Sequence, residues 1–359
     1  MKQKESICII GQFPPPVHGL STALKTIIDS EHMKDKYSIT FIDIKENKKF
    51  FNNLMKIRQN DSDLYYFTIS QSTFGNLRDM IILNLLISKN KKVIIHYHGG
   101  YYKTLYEKMS KFQKRLNKKL ISRIDIMIAL GESLKKMFSD VIDSSKIRVC
   151  ENYVENSSLA DESSINKKIA AYEYKSKIEV LYLSNFIKSK GYLDVLHAAK
   201  DLRGENISFH FAGAFFNKQD EDEFMQFINN HELQEYVYYH GIVKGKDKKE
   251  LLINSDVFVL PTYYTHEGQP ISIIEAMGNG LTIITTNHGG IKDIVEKDNG
   301  YIIEPKSPHQ IVQSLKDLAE NKNKMYYYGK NNRGLVLEKF KEIDYIQRLE
   351  KIFDEVIHS

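Results

Sequence analysis

Two glutamates eight residues apart, Glu267 and Glu275, lie in the segment best suited to hold a polar ligand. The segment reads EGQPISIIEAMGNG and follows Val257–Leu260, an apolar run typical of a buried strand. Pro270 stands where a helix can begin, because proline is tolerated at the first helical position. A loop that follows a parallel strand and opens a helix points free backbone N–H groups at an anion. One carboxylate could then accept the vicinal hydroxyls of a ribose, and the other could meet sugar hydroxyls.

A second loop carries residue types that suit a diphosphate. Ser184–Gly191 reads SNFIKSKG and follows the apolar run Glu179–Leu183. The ammonium of Lys190 could neutralise phosphate charge, and Gly191 would admit a close backbone approach. Each loop also has a purely structural interpretation. With 25 Glu in the chain, roughly 1.7 pairs at this spacing arise by chance, and a chain with 43 Lys has many solvated lysine loops.

Two further loops lie in the first half of the chain. Gly11–Gly19 reads GQFPPPVHG and joins the first apolar run to a helical pattern, where ligands approach doubly wound sheets. It does not fit GxGxxG, which disfavours a nicotinamide or flavin site. His96 and His98 end another strand pattern and precede two glycines. A lone histidine is more often structural, but two in three residues before a glycine pair favour a functional role.

Length and composition indicate a folded protein of two domains. The chain has 359 residues, 42% hydrophobic and 27% charged, which is more than one hydrophobic core usually organises. We expect no transmembrane helix, because no apolar run approaches the roughly 18 residues required. The first run, Ile7–Ile10, is too short for a secretory signal. Two cysteines at no metal-like spacing favour a reducing, cytosolic location.

The charge distribution argues against nucleic acid as a partner. The chain has 51 basic and 46 acidic residues, a net charge of +5. Residues 1–165 carry 26 basic and 18 acidic groups, and residues 166–359 carry 25 and 28. Only 8 of the basic residues are arginine, whereas nucleic-acid surfaces favour arginine for bidentate phosphate contacts.

Apolar runs alternate with helical patterns along the chain, which predicts parallel sheets covered by helices. The runs are continuous, as in strands buried on both faces. We therefore expect an α/β protein of two doubly wound domains, 1–160 and 170–342, joined through the polar segment 155–176. A helix over 343–359 keeps an apolar stripe and should pack back on the first domain. The predicted strands are Ile7–Ile10, Ser38–Ile42, Leu64–Ile69, Lys92–His96, Ile126–Ala129, Ile147–Cys150, Glu179–Leu183, Ser208–Ala212, Val237–His240, Val257–Leu260, Thr282–Thr285 and Tyr301–Ile303.

In combination, these motifs resemble family-4 retaining glycosyltransferases of the GT-B fold. The likeness covers nearly the whole chain and is most specific from Ser255 to Pro305, where SDVFVLPT, EGQPISIIEAMGNG, TNHGG and DNGYIIEP stand in the family's order and spacing. The resemblance implies two Rossmann-like domains facing across a cleft, with a nucleotide-diphospho-sugar held mainly by the C-terminal one. It also implies no cofactor and no metal, so that lysine and a helix N-terminus must offset the diphosphate charge.

The resemblance assigns roles to residues by position. Lys190 would neutralise the donor diphosphate, and Glu275 would bind the ribose. Glu267 would contact the transferred sugar and stabilise charge during transfer. His98 matches a catalytic histidine placed by the sugar near the reacting carbon. The remaining donor-binding positions are Gly19, Asn185, Gly268, Gln269, Pro270 and Ile271.

Two positions depart from the family's pattern. Asn185 stands five residues before Lys190, where the family usually carries an arginine, and Lys188 is the neighbouring residue that could substitute for it. His18 precedes Gly19 where paired glycines are common. Its side chain could narrow the donor pocket or face the acceptor.

A basic amphipathic pattern over residues 103–123 suggests contact with a membrane. The segment has eight basic residues against one acidic residue, Glu107. A helix of this kind can lie on anionic lipid, which would suit a lipid-linked acceptor. The alternative is a domain helix whose apolar stripe packs on the sheet. The stripe consists of Leu105, Met109, Phe112, Leu116 and Leu120.

The sequence thus predicts a cytoplasmic retaining glycosyltransferase, peripheral on the inner face of the cell membrane. The expected donor is a UDP-linked sugar, and the expected acceptor is a glycan or lipid-linked molecule in the synthesis of a bacterial capsule or exopolysaccharide. Two alternatives stay open. Nucleotide-sugar 2-epimerases share the fold and the donor cleft, and a non-catalytic nucleotide-sugar-binding subunit would account for Asn185.

Overall fold

The computed structural model describes residues 4–15 and 19–359, which form two compact units. Unit 1 comprises Met1–Asn152 and Ile343–Ser359, and unit 2 comprises Tyr153–Glu342. Each unit is a parallel sheet with helices packed on it. The predicted α/β class with two doubly wound domains is therefore confirmed. Every one of the twelve predicted strands is present, because continuous apolar runs are what a strand buried on both faces requires.

The sheet of unit 1 has six parallel strands in the described part of the chain. Their spatial order is β2-β1-β3-β4-β5-β6. The chain leaves β1 in one direction to form β2 and returns past it to β3, so the strand order reverses between β1 and β3. The strands are β1 (Glu5–Gly11), β2 (Tyr37–Asp43), β3 (Leu64–Phe67), β4 (Lys92–His96), β5 (Ile126–Ala129) and β6 (Ile147–Val149).

The sheet of unit 2 repeats this plan. Its order is β12-β11-β10-β7-β8-β9, and all pairs are parallel. The chain runs outward from β7 to β9 and then crosses back to β10, so the order reverses between β7 and β10. The strands are β7 (Ile178–Leu183), β8 (Ile207–Ala212), β9 (Val237–Tyr239), β10 (Val257–Leu260), β11 (Thr282–Thr286) and β12 (Gly300–Ile303).

Helices connect the strands of both sheets. In unit 1 they are α1 (Gly19–Asp29), α2 (Glu31–Lys36), α3 (Phe50–Gln59), α4 (Thr73–Ser88), α5 (Tyr102–Lys108) and α6 (Lys111–Ile121). In unit 2 they are α7 (Glu162–Ala171), α8 (Tyr192–Asp201), α9 (Lys218–Asn230), α10 (Gly245–Asn254), α11 (Ile271–Gly278), α12 (Pro308–Glu320) and α13 (Lys322–Lys339). The last helix, α14 (Glu342–Ile357), lies in unit 1 from Ile343 onward.

The two faces of the unit 1 sheet are covered by different helices. On one face α3, α4 and α6 pack side by side and bury residues such as Ile57 and Leu120 with Tyr65 of β3. On the other face the ring of Phe353 on α14 packs against Tyr66, with ring centroids 5.5 Å apart. The strand β3 is therefore apolar throughout, because both of its faces are buried.

The polar segment 155–176 is not the linker that the sequence predicts. It contains α7, from which Ile165 and Ile169 enter the core of unit 2, and Tyr172 follows them there. Three apolar residues at helical spacing bury one face of this segment although its other residues are polar. The second unit consequently begins at Tyr153 and not near residue 170.

The amphipathic helix predicted over residues 103–123 is interrupted. Helix α5 ends at Lys108, and the hydroxyl of Ser110 caps α6 by accepting a hydrogen bond from Gln113 N (3.2 Å). Serine is a preferred N-cap residue, which explains why a new helix begins here. Within the described residues no helix combines the length and apolar composition that crossing a bilayer requires.

Candidate active site

The predicted loops of unit 2 meet at the carboxyl edge of its sheet, where β7 and β10 are neighbours. This is the point at which the strand order reverses, and doubly wound sheets bind ligands at such points. The loop after β7 and the loop after β10 are joined directly, because Tyr263 N donates to the carbonyl of Ser189 (2.8 Å). The fold thus brings together two loops that are distant in sequence.

Lys190 and Glu267 form an ion pair at this edge. Lys190 Nζ lies 3.3 Å from Glu267 Oε2, and Thr262 Oγ1 donates to the same oxygen (3.1 Å). The two charged side chains are only 16% and 8% exposed. The ammonium also lies 5.4 Å from the ring centroid of Tyr264. Burial and the nearby Glu267 charge raise the pKa of Tyr264, so its hydroxyl stays protonated. An anion that enters here meets a lysine already held in place.

Two glycines let the loops approach one another this closely. Gly191 has φ +78°, and a Cβ atom there would lie 2.6 Å from Pro261 O. Gly289 has φ +56°, and its Cβ would lie 2.5 Å from Glu267 O. Both positions need the left-handed backbone and the absence of a side chain. Gly289 therefore sets the path of the loop that carries Glu267, although the two residues are on different loops.

Helix α11 opens directly after this loop. Gly268, Gln269 and Pro270 are buried, and the helix begins at the half-buried Ile271. Among the described residues no side chain caps the helix start. The first N–H groups of an α-helix have no intrahelical partner and carry partial positive charge. The loop therefore presents backbone donors beside the Lys190–Glu267 pair.

Glu275 on α11 is a second buried carboxylate. Its side chain is 7% exposed, and its Oε1 accepts hydrogen bonds from Lys248 Nζ (2.5 Å) and Ser158 Oγ (3.2 Å). Both partners donate to the same oxygen. A carboxylate oriented in this way is suited to receive hydroxyl groups, as the ribose-binding prediction requires.

Lys248, Ser158 and Thr262 were not among the predicted site residues. Lys248 is one of 43 lysines and follows no motif. Ser158 lies in the segment interpreted as a linker. Thr262 stands two residues after the strand run Val257–Leu260 and could have been found from that position, because polar residues at carboxyl ends of parallel strands gather at ligand sites.

The structure does not support Lys188 as a replacement for an arginine at position 185. Its ammonium lies 3.1 Å from Asp220 Oδ1 and 3.0 Å from Glu223 Oε2 on α9. The hydrogen bonds that Lys188 donates to Glu223 and Asp220 raise the pKa of Lys188. Asn185 itself is exposed at the end of β7. Lys188 is thus paired with carboxylates of α9, whereas Lys190 of the same loop pairs with Glu267.

In unit 1, His98 follows β4 at the carboxyl edge of its own sheet. The ring of His98 lies over that of His96, with centroids 3.9 Å apart, and Tyr66 Oη is 2.5 Å from His96 Nδ1. Burial, reinforced by His98, holds the pKa of His96 well below its usual range. His96 is therefore a neutral support beneath His98. Gln71 Nε2 donates to the His98 carbonyl (2.9 Å) and fixes the loop from the other side.

Gly19 is the exposed first residue of α1. It follows residues 16–18, which lie outside the described part of the chain, so the prediction for His18 stays a prediction. Gly11, at the start of this loop, leaves no room for a side chain. A Cβ atom there would lie 2.4 Å from Leu24 Cδ1 and 2.6 Å from Thr68 Oγ1.

The apolar stripe predicted to lie on a membrane is mostly buried. Leu105, Met109 and Leu120 are at most 5% exposed, and Leu116 packs against the core of unit 1. The stripe faces the sheet, so the interpretation of segment 103–123 as a lipid-facing amphipathic helix is wrong for these residues. Phe112 is the exception, with 71% of its surface exposed.

A cluster of potential metal ligands lies away from these loops. It comprises Glu5, Asp354 and His358, and it is the one such group within the described ranges. Glu5 is the first residue of β1, at the amino edge of the unit 1 sheet. Asp354 already accepts hydrogen bonds from Lys36 and from Tyr37 Oη. The predicted site residues themselves include no such cluster in the described part of the chain.

Comparison with known proteins finds solved structures with the same fold and a family model that matches most of unit 2. Residues 164–335 match the family model of "Glycosyl transferases group 1". The chain superposes on the crystal structure of Alr3699/HepE from Anabaena in complex with UDP, with a TM-score of 0.78 at 18% identity, covering 98% of this chain and 100% of that one. A structure of the same Anabaena protein with UDP-glucose gives 0.75 at 16% identity, covering 97% and 99%.

Several relatives detected by sequence are named as glycosyltransferases. The glycosyltransferase MJ1069 of Methanocaldococcus jannaschii is 22% identical over 325 residues, which are 87% of this chain and 80% of the relative. WcaL of Escherichia coli K12, named for colanic acid biosynthesis, is 24% identical over 143 residues, which are 38% of this chain and 35% of the relative.

Proposed function

We propose that the chain is a retaining glycosyltransferase that uses a UDP-sugar, because residues 164–335 match the group 1 glycosyltransferase family and the chain has the GT-B fold. The acceptor is a glycan or a lipid-linked molecule, and the product is part of a bacterial surface polysaccharide. The UDP and UDP-glucose complexes of the Anabaena protein support the donor class. The colanic acid relative supports the polysaccharide. We place the enzyme in the cytoplasm, at the inner face of the membrane.

The single observation that carries this proposal is the Lys190–Glu267 pair beside the start of α11. A donor diphosphate would accept hydrogen bonds from the ammonium of Lys190 and from backbone N–H groups within Gly268–Ile271. Those fixed donors neutralise the charge that grows on the diphosphate as it leaves, and no metal is then required. Glu267, released from Lys190, would face the sugar and stabilise its developing positive charge.

Glu275 and His98 complete the proposed assignments. Glu275, held by Lys248 and Ser158, would accept the ribose hydroxyls. His98 would contact the sugar near the reacting carbon. The acceptor oxygen attacks that carbon on the face from which the diphosphate departs. The carbon–oxygen bond to the diphosphate breaks, the bond to the acceptor forms, and the acceptor's proton moves to a diphosphate oxygen. No side chain needs to act as general base.

The direct test is a screen of UDP-, GDP- and ADP-sugars by thermal shift, in buffer with EDTA, followed by product analysis. We expect UDP-sugars to raise the melting temperature most, and we expect the product to keep the anomeric configuration of the donor by NMR. Inversion of that configuration, or a strict need for a divalent cation, would contradict the proposal.

Asn185 favours a second candidate, a non-catalytic nucleotide-sugar-binding subunit, because it replaces an arginine that the family usually carries. Calorimetry that detects UDP-sugar binding without turnover on any acceptor would support this candidate. Incubation with donor alone tests the epimerase alternative, because an epimerase converts the sugar without an acceptor.

A further inference from the structure

The exposed large apolar side chains of unit 1 are concentrated on three helices. In the described residues of this unit they are Phe51 and Met55 on α3, Phe74 and Ile81 on α4, Phe112 on α6, and, elsewhere, Phe41 and Ile343. Phe74 is 87% exposed and Phe51 is 80% exposed. Scattered apolar residues on a surface are ordinary, but a cluster on adjacent helices marks an interaction site.

The five residues on these helices share one face of the unit. The helices pack side by side, α3 on α4 and α4 on α6, with their inner sides in the core. The first turns of α4 and α6 touch, because Gln113 Nε2 donates to Thr73 O (3.2 Å). Phe74 and Ile81 are seven residues apart and so lie on one stripe of α4. We call Phe51, Met55, Phe74, Ile81 and Phe112 the aromatic face.

Exposed cations border the aromatic face. Lys111, Arg115, Lys118 and Lys119 on α6 are exposed, as are Lys48, Lys56 and Arg58 at α3. In the part of the chain that the structure describes, none of these seven has a carboxylate within 4.0 Å. The nearby acids are few, and Glu46 is already paired with Lys49. A protein partner would need a matching acidic surface, whereas an anionic bilayer offers negative headgroups above an apolar interior.

We propose that the aromatic face docks on an anionic phospholipid bilayer, with the phenylalanines inserted at the headgroup boundary and the lysines on the lipid phosphates. This surface differs from the stripe Leu105–Leu120, which is buried. Only Phe112 belongs to both.

The placement of the phenylalanines explains what docking would achieve. Phe51, Phe74 and Phe112 each lie in the first turn of a helix. Those helices begin at the carboxyl edge of the unit 1 sheet, the edge that also carries His98. Docking would therefore bring that edge to the headgroups, where a lipid-linked acceptor presents its sugar. This last step rests on the proposed function, but binding to lipid does not.

The test is cosedimentation of the full chain with sucrose-loaded vesicles of phosphatidylcholine alone or with 30% phosphatidylglycerol. We expect binding to the anionic vesicles only, weakened at high salt. The double variant Phe74→Ser/Phe112→Ser should lose at least tenfold in vesicle affinity. Phe216→Ser is the matched control, because Phe216 is 68% exposed on unit 2, and it should bind like the wild type. Circular dichroism checks that each variant is folded.

Three outcomes would overturn the proposal. They are equal binding to neutral and anionic vesicles, no binding by the wild type, and wild-type binding by the double variant. If the double variant instead changes the oligomeric state in light scattering while the wild type ignores vesicles, the aromatic face is an interface between copies. Calorimetry of UDP binding tests the proposed function independently of membrane docking. A protein that sediments with vesicles but binds no UDP-sugar retains the docking surface and loses the proposed function.

Discussion

Lys248 on α10 holds Glu275 on α11 through a contact of 2.5 Å between Nζ and Oε1. The carboxylate is 7% exposed, and the lysine is 22% exposed. Ser158 donates to the same oxygen. Removing one partner of a largely buried ion pair leaves the other charge without compensation. Lys248 is therefore a positioning residue for the carboxylate that is proposed to receive the ribose.

Lys248→Met should raise the donor KM about tenfold with little change in kcat, because a charge-assisted hydrogen bond contributes about 1.5 kcal/mol or more. Steady-state kinetics over a range of UDP-sugar concentrations measures both constants. Lys246→Met is the control, since the side chain of Lys246 is 86% exposed and forms an ion pair with the exposed Glu250. An unchanged or lower KM in the Lys248 variant would remove this role.

Tyr66 supports His98 through His96. Tyr66→Phe removes the hydroxyl at His96 Nδ1 and frees the buried ring beneath His98 to rotate. We expect kcat to fall about threefold to tenfold, typical for a lost hydrogen bond, while UDP binding stays unchanged. Tyr65→Phe is a matched control, because Tyr65 Oη donates to Asn60 O (2.7 Å) on the other face of β3. Equal loss of kcat in both variants would show a general packing effect instead.

Gly289 sets the position of the Glu267 loop. Gly289→Ala places a methyl group 2.5 Å from Glu267 O at φ +56°, so the loop must shift. We expect a loss of turnover of at least tenfold together with a lower melting temperature. Gly204→Ala is the control for backbone strain alone. Gly204 also has a positive φ (+91°), but a Cβ atom there would have nothing within 4 Å to collide with. If both variants lose only stability and keep full turnover, Gly289 has no part in the site.

Lys168 makes the stability of unit 2 depend on pH. Its ammonium donates to Leu252 O and Asn279 O (both 3.0 Å), and burial lowers the pKa of Lys168 to about 7. The unfolded chain binds this proton up to about pH 10, so the native state gains stability as pH rises above 7. The free energy of unfolding of the wild type, minus that of Lys168→Met, should therefore increase by about 2 kcal/mol between pH 7 and 9.

Urea unfolding at the two pH values measures this difference. Lys167→Met is the control, because Lys167 is exposed on the same helix and its replacement should leave the pH dependence as in the wild type. A wild-type-minus-Lys168→Met difference that is constant with pH would show that Lys168 is charged in the folded protein.

The strands were predictable because each depends on a short, local property. A run such as Val257–Leu260 is short, apolar throughout and followed by Pro261, which is typical of a strand buried on both faces. The segment 155–176 was mispredicted as a linker because Ile165 and Ile169 are outnumbered by polar neighbours in the sequence. Their burial depends on tertiary contacts with the core of unit 2.

The candidate site was predictable only where chemistry coincides with a strand end. Glu267 and Lys190 follow strands, and the switch point brings them to 3.3 Å. Lys248 comes from the helix before β10 and Ser158 from the segment before α7, so their meeting at Glu275 depends on tertiary packing. Local sequence gives no signal for such a contact.

The central claim is that Glu267 stabilises the sugar during transfer from a UDP-linked donor. The most direct measurement compares transfer by Glu267→Ala with UDP-sugar binding by calorimetry, using Glu232→Ala, 73% exposed at its side chain, as the control. We predict that Glu267→Ala binds UDP-sugar within about threefold of the wild type and loses roughly a thousandfold or more in kcat, with its fold intact. Near-normal turnover by this variant would contradict the assigned role.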